Sequence, residues 1–248
     1  MQNRILILGY GVQGRKRHEI SKQSVVATVD PCLGKSVVDF GNIHDVPKES
    51  FDSVLMCVPD SKKEELLRYC IENSKHVLVE KPLIVPKTSH IHELSSLAKK
   101  NEVVFYTAYN HRFEPHFVRM KQLIDSGELG RIYSCRMFYG NGTARLVRDS
   151  VWRDKGLGVI ADLGSHLIDT CFFWFSDNNF HFNLTSYSKF ENKSFDHAII
   201  SSEKSDIRVE LEMTLCMWRN HFTCDILAEK GSAHIESLCK WGPSKFTH

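Results

Sequence analysis

The sequence has 248 residues, which is enough for one large domain or two modest ones. Hydrophobic residues make up 42% and charged residues 25%, as in an ordinary globular protein, which excludes disordered, collagen-like and coiled-coil chains. The 32 basic and 30 acidic side chains give a net charge of +2 and form no basic stripe, so nucleic acid is not an expected partner.

The apolar segments are too short to predict a membrane span. The aromatic cluster at residues 172–175 is four residues long, whereas a spanning helix needs about 20. The N-terminus passes from Arg4 through a short apolar run into a glycine, without a cleavable hydrophobic region. We therefore expect a cytoplasmic protein. The eight cysteines lie mostly in apolar stretches without a C-x-x-C pair, which predicts buried reduced thiols and no metal site.

The first half of the chain alternates β-branched runs with helical patterns, which is typical of parallel strands joined by crossover helices. Strands are predicted at residues 4–8, 25–29, 53–58, 76–79 and 103–107. Helices are predicted between them at residues 13–21, 62–73 and 87–100. Prolines and glycines interrupt residues 30–52, so the second crossover should be short.

The second half has a different pattern. It begins with a predicted helix at residues 117–125, a turn at 126–130, a strand at 131–138, a glycine-bearing loop and one helix at 156–176. The rest alternates like antiparallel strands, at residues 183–190, 198–202, 207–217, 222–227 and 233–236. The pattern indicates an α/β domain followed by an α+β domain.

A glycine-rich turn follows the first strand, where Gly9, Gly11 and Gly14 form G-x-G-x-x-G at the start of the first helix. In this context the first glycine permits a tight turn, the second lets a pyrophosphate approach the backbone, and the third lets helix and strand pack closely. The free N–H groups and the helix dipole would bind the phosphates. The alternative is a tight turn that binds no ligand.

Asp30 ends the second strand, where a carboxylate can accept hydrogen bonds from adenosine ribose hydroxyls and would repel a 2′-phosphate. NAD is therefore favoured over NADP, although Lys35 is near enough to keep NADP open. The alternative is an aspartate that caps a turn.

Two further groups of polar residues suggest chemistry. Glu80, Lys81 and Pro82 follow a strand at the carboxyl end of the sheet, where Lys81 would stabilise a developing alkoxide; the alternative is an exposed turn. Farther along, Asp162 and His166 lie on one helical face with Asp169, at i, i+4 and i+7. His166 can remove a proton near neutral pH and a carboxylate can orient it; the alternative is a structural hydrogen bond.

Several motifs, taken together and in order, resemble those of the glucose-fructose oxidoreductase, inositol dehydrogenase and rhizopine-catabolism (Gfo/Idh/MocA) family. They are residues 9–14 with His18, 77–82, 109–113 with Pro115, 126–130, 152–153 and 162–169. The resemblance implies a Rossmann domain with a doubly wound parallel sheet at residues 1–110, and an open-sheet substrate and oligomerisation domain at 111–248.

The resemblance also implies roles for individual residues. Lys81, Asp162 and His166 would be catalytic, and the peptide bond before Pro82 would be cis. Cofactor contacts would come from Gly9, Tyr10, Gly11, Val12, Gln13, Gly14, Asp30, Cys57, Val58, Pro59, Glu80, Lys81 and Asn110. Substrate contacts would come from Lys81, Asn110, Arg112, Trp152, Arg153, Asp162 and His166.

The sequence departs from the family pattern in three places. Residues 30–52 form a shorter region than is usual in the family, so the adenine side of the nucleotide site should be more open. After Pro59 it has Asp60 and Lys63 in place of an Asn-x-x-His, so nucleotide contacts there should differ. Relatives usually continue for several tens of residues beyond this C-terminus, so we expect a shortened second domain.

Two functional hypotheses follow. The first is an NAD(P)-dependent oxidoreductase that transfers a hydride between nicotinamide and a secondary alcohol or ketone of a sugar, cyclitol, sugar acid or sugar nucleotide. The alternative is a nicotinamide-nucleotide-binding regulatory or accessory protein with weak or no activity. Under either hypothesis a homo-oligomer through the C-terminal sheet is expected.

Overall fold

The computed structural model describes residues 3–150, 153–175, 179–202 and 206–248. The chain divides into two compact units, which we call unit 1 (Met1–Ala108) and unit 2 (Tyr109–His248). Trp152, an expected substrate contact, lies outside the described residues, as does the predicted end of the helix at residue 176. No described helix combines the length and the apolar character that crossing a membrane requires.

Unit 1 is built on a parallel sheet. Its described strands are β1 (Ile5–Leu8), β2 (Val25–Val29), β3 (Ser53–Met56), β4 (His76–Val79) and β5 (Phe105–Thr107), in the order β2-β1-β3-β4-β5. The helices are α1 (Val12–Ser21), α2 (Asp60–Glu72) and α3 (Thr88–Lys100). Most residues of β1 to β4 are buried, which explains the continuous apolar sequences of these strands, whereas the edge strand β5 has no buried residue. The predicted alternation of strands and helices is confirmed.

The second crossover is short, as predicted. Residues 30–52, all of which the structure describes, form two 3₁₀ turns (Ile43–Asp45 and Lys48–Ser50) and no α-helix. Phe40 pairs with Val29 in an isolated parallel bridge beside β2. Rossmann sheets commonly have a full strand on this side of the second strand. Here that strand is reduced to one bridge.

Unit 2 contains a mixed sheet. Its described strands are β6 (Ile132–Gly140), β7 (Phe182–Ser188), β8 (His197–Ser202), β9 (Arg208–Thr214), β10 (His221–Ala228), β11 (Gly231–Glu236) and β12 (Lys245–Thr247). Their order is β12-β11-β10-β6-β9-β8-β7, and β6 and β9 are parallel while the other described pairs are antiparallel. The expectation of an antiparallel pattern fails at this one pair, because a long excursion separates the two strands and allows either direction.

The helices of unit 2 are α4 (Pro115–Asp125), α5 (Ala144–Arg148) and α6 (Ser165–Trp174). The predicted helix from residue 156 begins only at residue 159, because residues 153–158 form turns, and its first part is a π-helical turn (Ile160–Gly164) that continues directly into α6. Gly158 has a φ of +51°, and a Cβ there would lie 2.2 Å from the carbonyl oxygen of Phe195. The chain therefore makes a close left-handed turn where the sequence indicated a helix.

All eight cysteines lie within the described residues and are free thiols. Burial is confirmed for four of them: Cys70, Cys135, Cys171 and Cys224. Three others are partly buried, and Cys32 is exposed.

Candidate functional site

The glycine turn of unit 1 has two different kinds of glycine. Gly9 has a φ of +90°, and a Cβ there would lie 2.5 Å from the carbonyl oxygen of Cys57. A Cβ on Gly14 would lie 2.0 Å from the carbonyl oxygen of Gly9. Gly11 is different, since its φ is −73° and no heavy atom of the described residues lies within 4 Å of its Cβ position.

The chain itself therefore requires Gly9 and Gly14, whereas packing does not require Gly11. Open space over Gly11, at the N-cap of α1, is what a bound pyrophosphate needs, because its oxygens must approach the backbone N–H groups closely. The residues present at this turn fit a dinucleotide.

Asp30 lies beside the turn, at the end of β2. Its Oδ2 accepts a hydrogen bond from the Tyr10 N–H at 2.8 Å, and its Oδ1 accepts one from the Cys32 N–H at 2.9 Å. The alternative, in which Asp30 caps a turn, is therefore confirmed. Each carboxylate oxygen still has a second lone pair, so the same contacts also fix the side chain in place for ribose hydroxyls.

Glu80 and Lys81 follow β4 at the same carboxyl edge of the sheet. The Glu80 N–H donates to the Met56 carbonyl at 2.9 Å, and Arg17 of α1 donates to Glu80 Oε1 from Nε at 2.9 Å and from Nη2 at 2.6 Å. This ion pair links the helix that starts at the glycine turn to the segment that carries Lys81. Glu80 and Lys81 are both partly buried, unlike an ordinary exposed turn, and the Lys81–Pro82 peptide bond is cis, as expected.

Lys63 is a further functional candidate, to which the sequence pattern assigned no specific role. Its Nζ donates to the Pro82 carbonyl at 2.7 Å and pairs with Asp60 Oδ1 at 2.6 Å, and its side chain is 2% exposed. Burial lowers the pKa of the Lys63 ammonium. The available signal was the pair of charged residues where the family has Asn-x-x-His. Their i, i+3 spacing indicates the ion pair, but nothing local indicates the contact with Pro82.

Cys57, Val58 and Pro59 connect β3 to α2. The Cys57 N–H donates to the Leu8 carbonyl at 2.7 Å, so this segment lies against the glycine turn. Burial, reinforced by the charge of Glu80, raises the pKa of the Cys57 thiol to about 12. Cys57 is therefore a neutral thiol, and its expected cofactor contact stays a prediction, as do those of Val58 and Pro59.

Unit 2 contains the remaining predicted residues. Arg112 donates to Asp169 from Nε at 2.8 Å and from Nη2 at 2.6 Å, and its guanidinium lies 5.5 Å from the centre of the Phe173 ring. Such a two-point ion pair is geometrically specific. Asp169 therefore already occupies two Arg112 N–H groups, and a role for Arg112 in substrate binding stays a prediction.

Asp162 lies in the π-helical turn before α6. Arg153 Nη2 is 3.4 Å from Asp162 Oδ2, and the two side chains are 32% and 31% exposed. This is a looser ion pair than that of Arg112, and it is near solvent. Asn110 begins a 3₁₀ turn (Asn110–Phe113) and is exposed, on the unit 2 side of the boundary. The expected roles of these residues stay predictions.

His166 is 6% exposed and lies within an aromatic cluster. The Tyr109 ring meets it edge-on at 5.8 Å between centroids, and the His111 ring stacks on it at 4.4 Å with an interplanar angle of 23°. Burial raises the pKa of Tyr109 and of Tyr139, which also lies near His166. His111, which the sequence reasoning quoted as part of a motif without a role, is a second candidate of this kind.

Across residues 3–150, 153–175, 179–202 and 206–248, no group of three histidine, cysteine or carboxylate side chains is arranged to hold a metal ion.

Two family models match the chain. Residues 3–109 match the model described as "Oxidoreductase family, NAD-binding Rossmann fold", and residues 117–234 match the "GFO/IDH/MocA C-terminal domain". The chain belongs to the Gfo/Idh/MocA oxidoreductase family. The family resemblance, the Rossmann fold and the NAD-binding class of unit 1 are thereby confirmed.

Some relatives are named as dehydrogenases and others only as oxidoreductases. The chain is 27% identical to a scyllo-inositol 2-dehydrogenase (NADP(+)) of Bacillus subtilis, over 66% of this chain and 49% of that one. It is 26% identical to a glucose-6-phosphate 3-dehydrogenase of the same organism, over 65% and 46%. The matched part spans about a third to a half of the length of such curated relatives.

Among solved structures, an inositol dehydrogenase homologue from Azotobacter vinelandii, complexed with NADH and myo-inositol, is similar to the chain. The TM-score is 0.82 at 16% identity, over 100% of this chain and 76% of that one. At this identity the likeness concerns the fold.

Proposed function

We propose that the protein is an NAD(P)-dependent oxidoreductase that transfers a hydride between nicotinamide and a secondary alcohol or ketone of a polyol or sugar. Unit 1 would bind the dinucleotide, and unit 2 would bind the substrate. The observation that carries the proposal is that the open glycine turn and Lys81 lie at the same carboxyl edge of one parallel sheet, linked by Arg17 and Glu80. Ligands of α/β sheets bind at that edge.

The reaction assigns a task to each of three residues. Bound NAD supplies the hydride acceptor when an alcohol is oxidised. The Lys81 ammonium would hydrogen-bond the substrate oxygen and stabilise its developing negative charge. A ring nitrogen of His166 would take the hydroxyl proton, and Asp162 would orient that imidazole or a second hydroxyl. In the reductive direction the same nitrogen would return the proton.

The substrate class follows from the relatives. Proteins named for inositol and for glucose 6-phosphate match this chain over about two thirds of its length, which supports a cyclic polyol or sugar. Asp30 favours NAD, because a 2′-phosphate beside this carboxylate would be repelled. One relative is named for NADP(+), so both nucleotides belong in the assay.

The test begins with binding. NADH and NADPH fluorescence titrations measure the dissociation constants, with NADH expected to bind more tightly. Turnover is then measured with NAD on inositols, hexoses, sugar phosphates, sugar acids and sugar nucleotides. Nucleotide binding without turnover on any of these classes would favour the accessory-protein alternative.

Variants then test the assigned residues. Lys81→Ala and His166→Ala should each lower kcat by about 100-fold or more, the usual contribution of a positioned acid–base group. Lys100→Ala and His92→Ala, both exposed on α3, are matched controls that should leave kcat unchanged. Wild-type kcat in Lys81→Ala and His166→Ala would contradict the assignment.

We also propose a homo-oligomer through the sheet of unit 2. Along β10 the residues alternate between buried and exposed, so the sheet has one covered and one open face. Light scattering on the purified protein tests this, and a monomer at micromolar concentration would contradict it.

A further inference from the structure

Lys63 is a buried cation that contacts the backbone beside Lys81. It lies in the first turn of α2, and its side chain is 2% exposed. Its Nζ donates a hydrogen bond to the Pro82 carbonyl oxygen at 2.7 Å and pairs with Asp60 Oδ1 at 2.6 Å. A buried ammonium is costly unless its N–H groups have acceptors, so these two contacts fix where the end of the side chain lies.

The segment that Lys63 contacts has no regular secondary structure. It connects β4 to α3, and residues 80–87, all of which are described, form neither helix nor strand. The sheet holds the first of these residues, because the Glu80 N–H donates to the Met56 carbonyl at 2.9 Å. Beyond it no strand pairing or helix orders the backbone, and Pro82 has no N–H to donate. Contacts from other elements therefore decide where this backbone lies.

Two cations from different helices hold the residues on either side of Lys81. Arg17 of α1 donates to Glu80 Oε1 from Nε at 2.9 Å and from Nη2 at 2.6 Å. Lys63 of α2 holds the carbonyl of Pro82. The backbone of Lys81 is thus confined on both sides, whatever its own side chain contacts. Lys63 acts directly on the backbone, whereas Arg17 acts through the Glu80 side chain, so Lys63 is the tighter restraint.

We propose that Lys63 is a positioning residue for Lys81: its hydrogen bond to the Pro82 carbonyl fixes the backbone from which the Lys81 ammonium reaches the substrate oxygen. This inference rests on the proposed function, in which Lys81 stabilises the developing negative charge. It assigns Lys63 no contact with the substrate. A displacement of about 1 Å at a catalytic group can lower the rate about 100-fold, so an anchor one residue away controls the rate without taking part in the reaction.

The first experiment measures whether Lys63 holds the segment. Lys63→Met fills a similar volume without an N–H group, and Lys63→Arg keeps a charged donor. Ile71→Val is the structural control, since it removes a buried methyl group from the same helix but leaves the hydrogen bond to Pro82.

Hydrogen exchange of the peptide that covers residues 79–87 is followed by mass spectrometry on the full-length protein. We expect this peptide to exchange several times faster in Lys63→Met, and at the wild-type rate in Lys63→Arg and Ile71→Val. Each comparison is repeated with NADH, whose binding stabilises a weakened variant.

The second experiment measures whether Lys63 acts through Lys81. Turnover is followed with NAD and the most active polyol or sugar of the panel described above. We expect Lys63→Met to lower kcat about 10-fold, Lys63→Arg to restore most of it, and Ile71→Val to leave it unchanged. The dissociation constant for NADH should stay within about two-fold, because the contacts of the glycine turn are retained.

A double-mutant cycle then isolates the coupling. In a protein that already carries Lys81→Ala, adding Lys63→Met should lower kcat by less than about two-fold, because the group that Lys63 positions is gone. A merely structural role would lower kcat by the same factor in both backgrounds.

Wild-type exchange of residues 79–87 in Lys63→Met would overturn the proposal, and so would equal losses of kcat with and without Lys81. A loss of NADH affinity as large as the loss of kcat/KM would assign Lys63 to the nucleotide site and would also overturn it. Because hydrogen exchange needs no turnover, it tests the anchor even if the protein has no dehydrogenase activity. Faster exchange in Lys63→Met without any turnover would support the anchoring of this segment while rejecting the proposed function.

Discussion

Replacing Gly11 by valine separates ligand binding from folding at the glycine turn. No heavy atom of the described residues lies within 4 Å of the Cβ position, and the φ of −73° is open to any L-residue. We therefore expect the free energy of unfolding to fall by less than about 1 kcal/mol, the usual cost of an unfavourable N-cap. The same side chain would displace a pyrophosphate from the backbone. Loss of two charge-assisted hydrogen bonds, about 1.5 kcal/mol each, weakens NAD binding about 100-fold.

Gly14→Ala is the matched comparison. Its Cβ would lie 2.0 Å from the carbonyl oxygen of Gly9, so the turn must open, and we expect a loss of about 1–3 kcal/mol of stability. Urea unfolding and NADH fluorescence titration measure the two effects separately. Gly11→Val with unchanged NADH affinity would refute the assignment of this turn as a phosphate site. If Gly11→Val lowered the free energy of unfolding as much as Gly14→Ala does, the conclusion that packing does not require Gly11 would be refuted.

Three other changes test the surrounding structure. Lys63→Met should lower the free energy of unfolding by about 1–3 kcal/mol in urea titrations, because the backbone carbonyl it contacts loses its donor; wild-type stability would contradict this. The Arg4 side chain lowers the pKa of Asp52 from its ordinary 3.8 to about 2. The resulting stability is present above pH 3.8 and is lost as the pH falls through about 2. In Asp52→Asn the free energy of unfolding, measured by urea titration, should therefore depend less on pH over that range than in the wild type. Iodoacetamide at pH 8 should modify exposed Cys32 long before Cys57, whose thiol pKa is raised to about 12; equal rates by peptide mass spectrometry would contradict the burial argument.

Local pattern was sufficient for much of the fold. Strands of β-branched residues and helices of period 3.6 are short-range features, and the order of elements in unit 1 was predicted within a few residues. Prediction failed where the tertiary path overrides local preference. The turn at Gly158, close to the carbonyl of Phe195, displaces the start of the predicted helix from residue 156 to 159. The parallel pairing of β6 with β9 depends on a distant return of the chain.

The sequence alone determined the glycine turn, the lysine at the end of β4 and the histidine on α6, because each is a motif of neighbouring residues whose spacing has a direct physical meaning. Only the tertiary structure decided what those residues contact. Lys63 reaches the carbonyl of Pro82 across 19 positions, and Arg112 reaches Asp169 across 57. Side-chain partners so far apart in sequence are chosen by how packed elements meet, and no local periodicity encodes that choice.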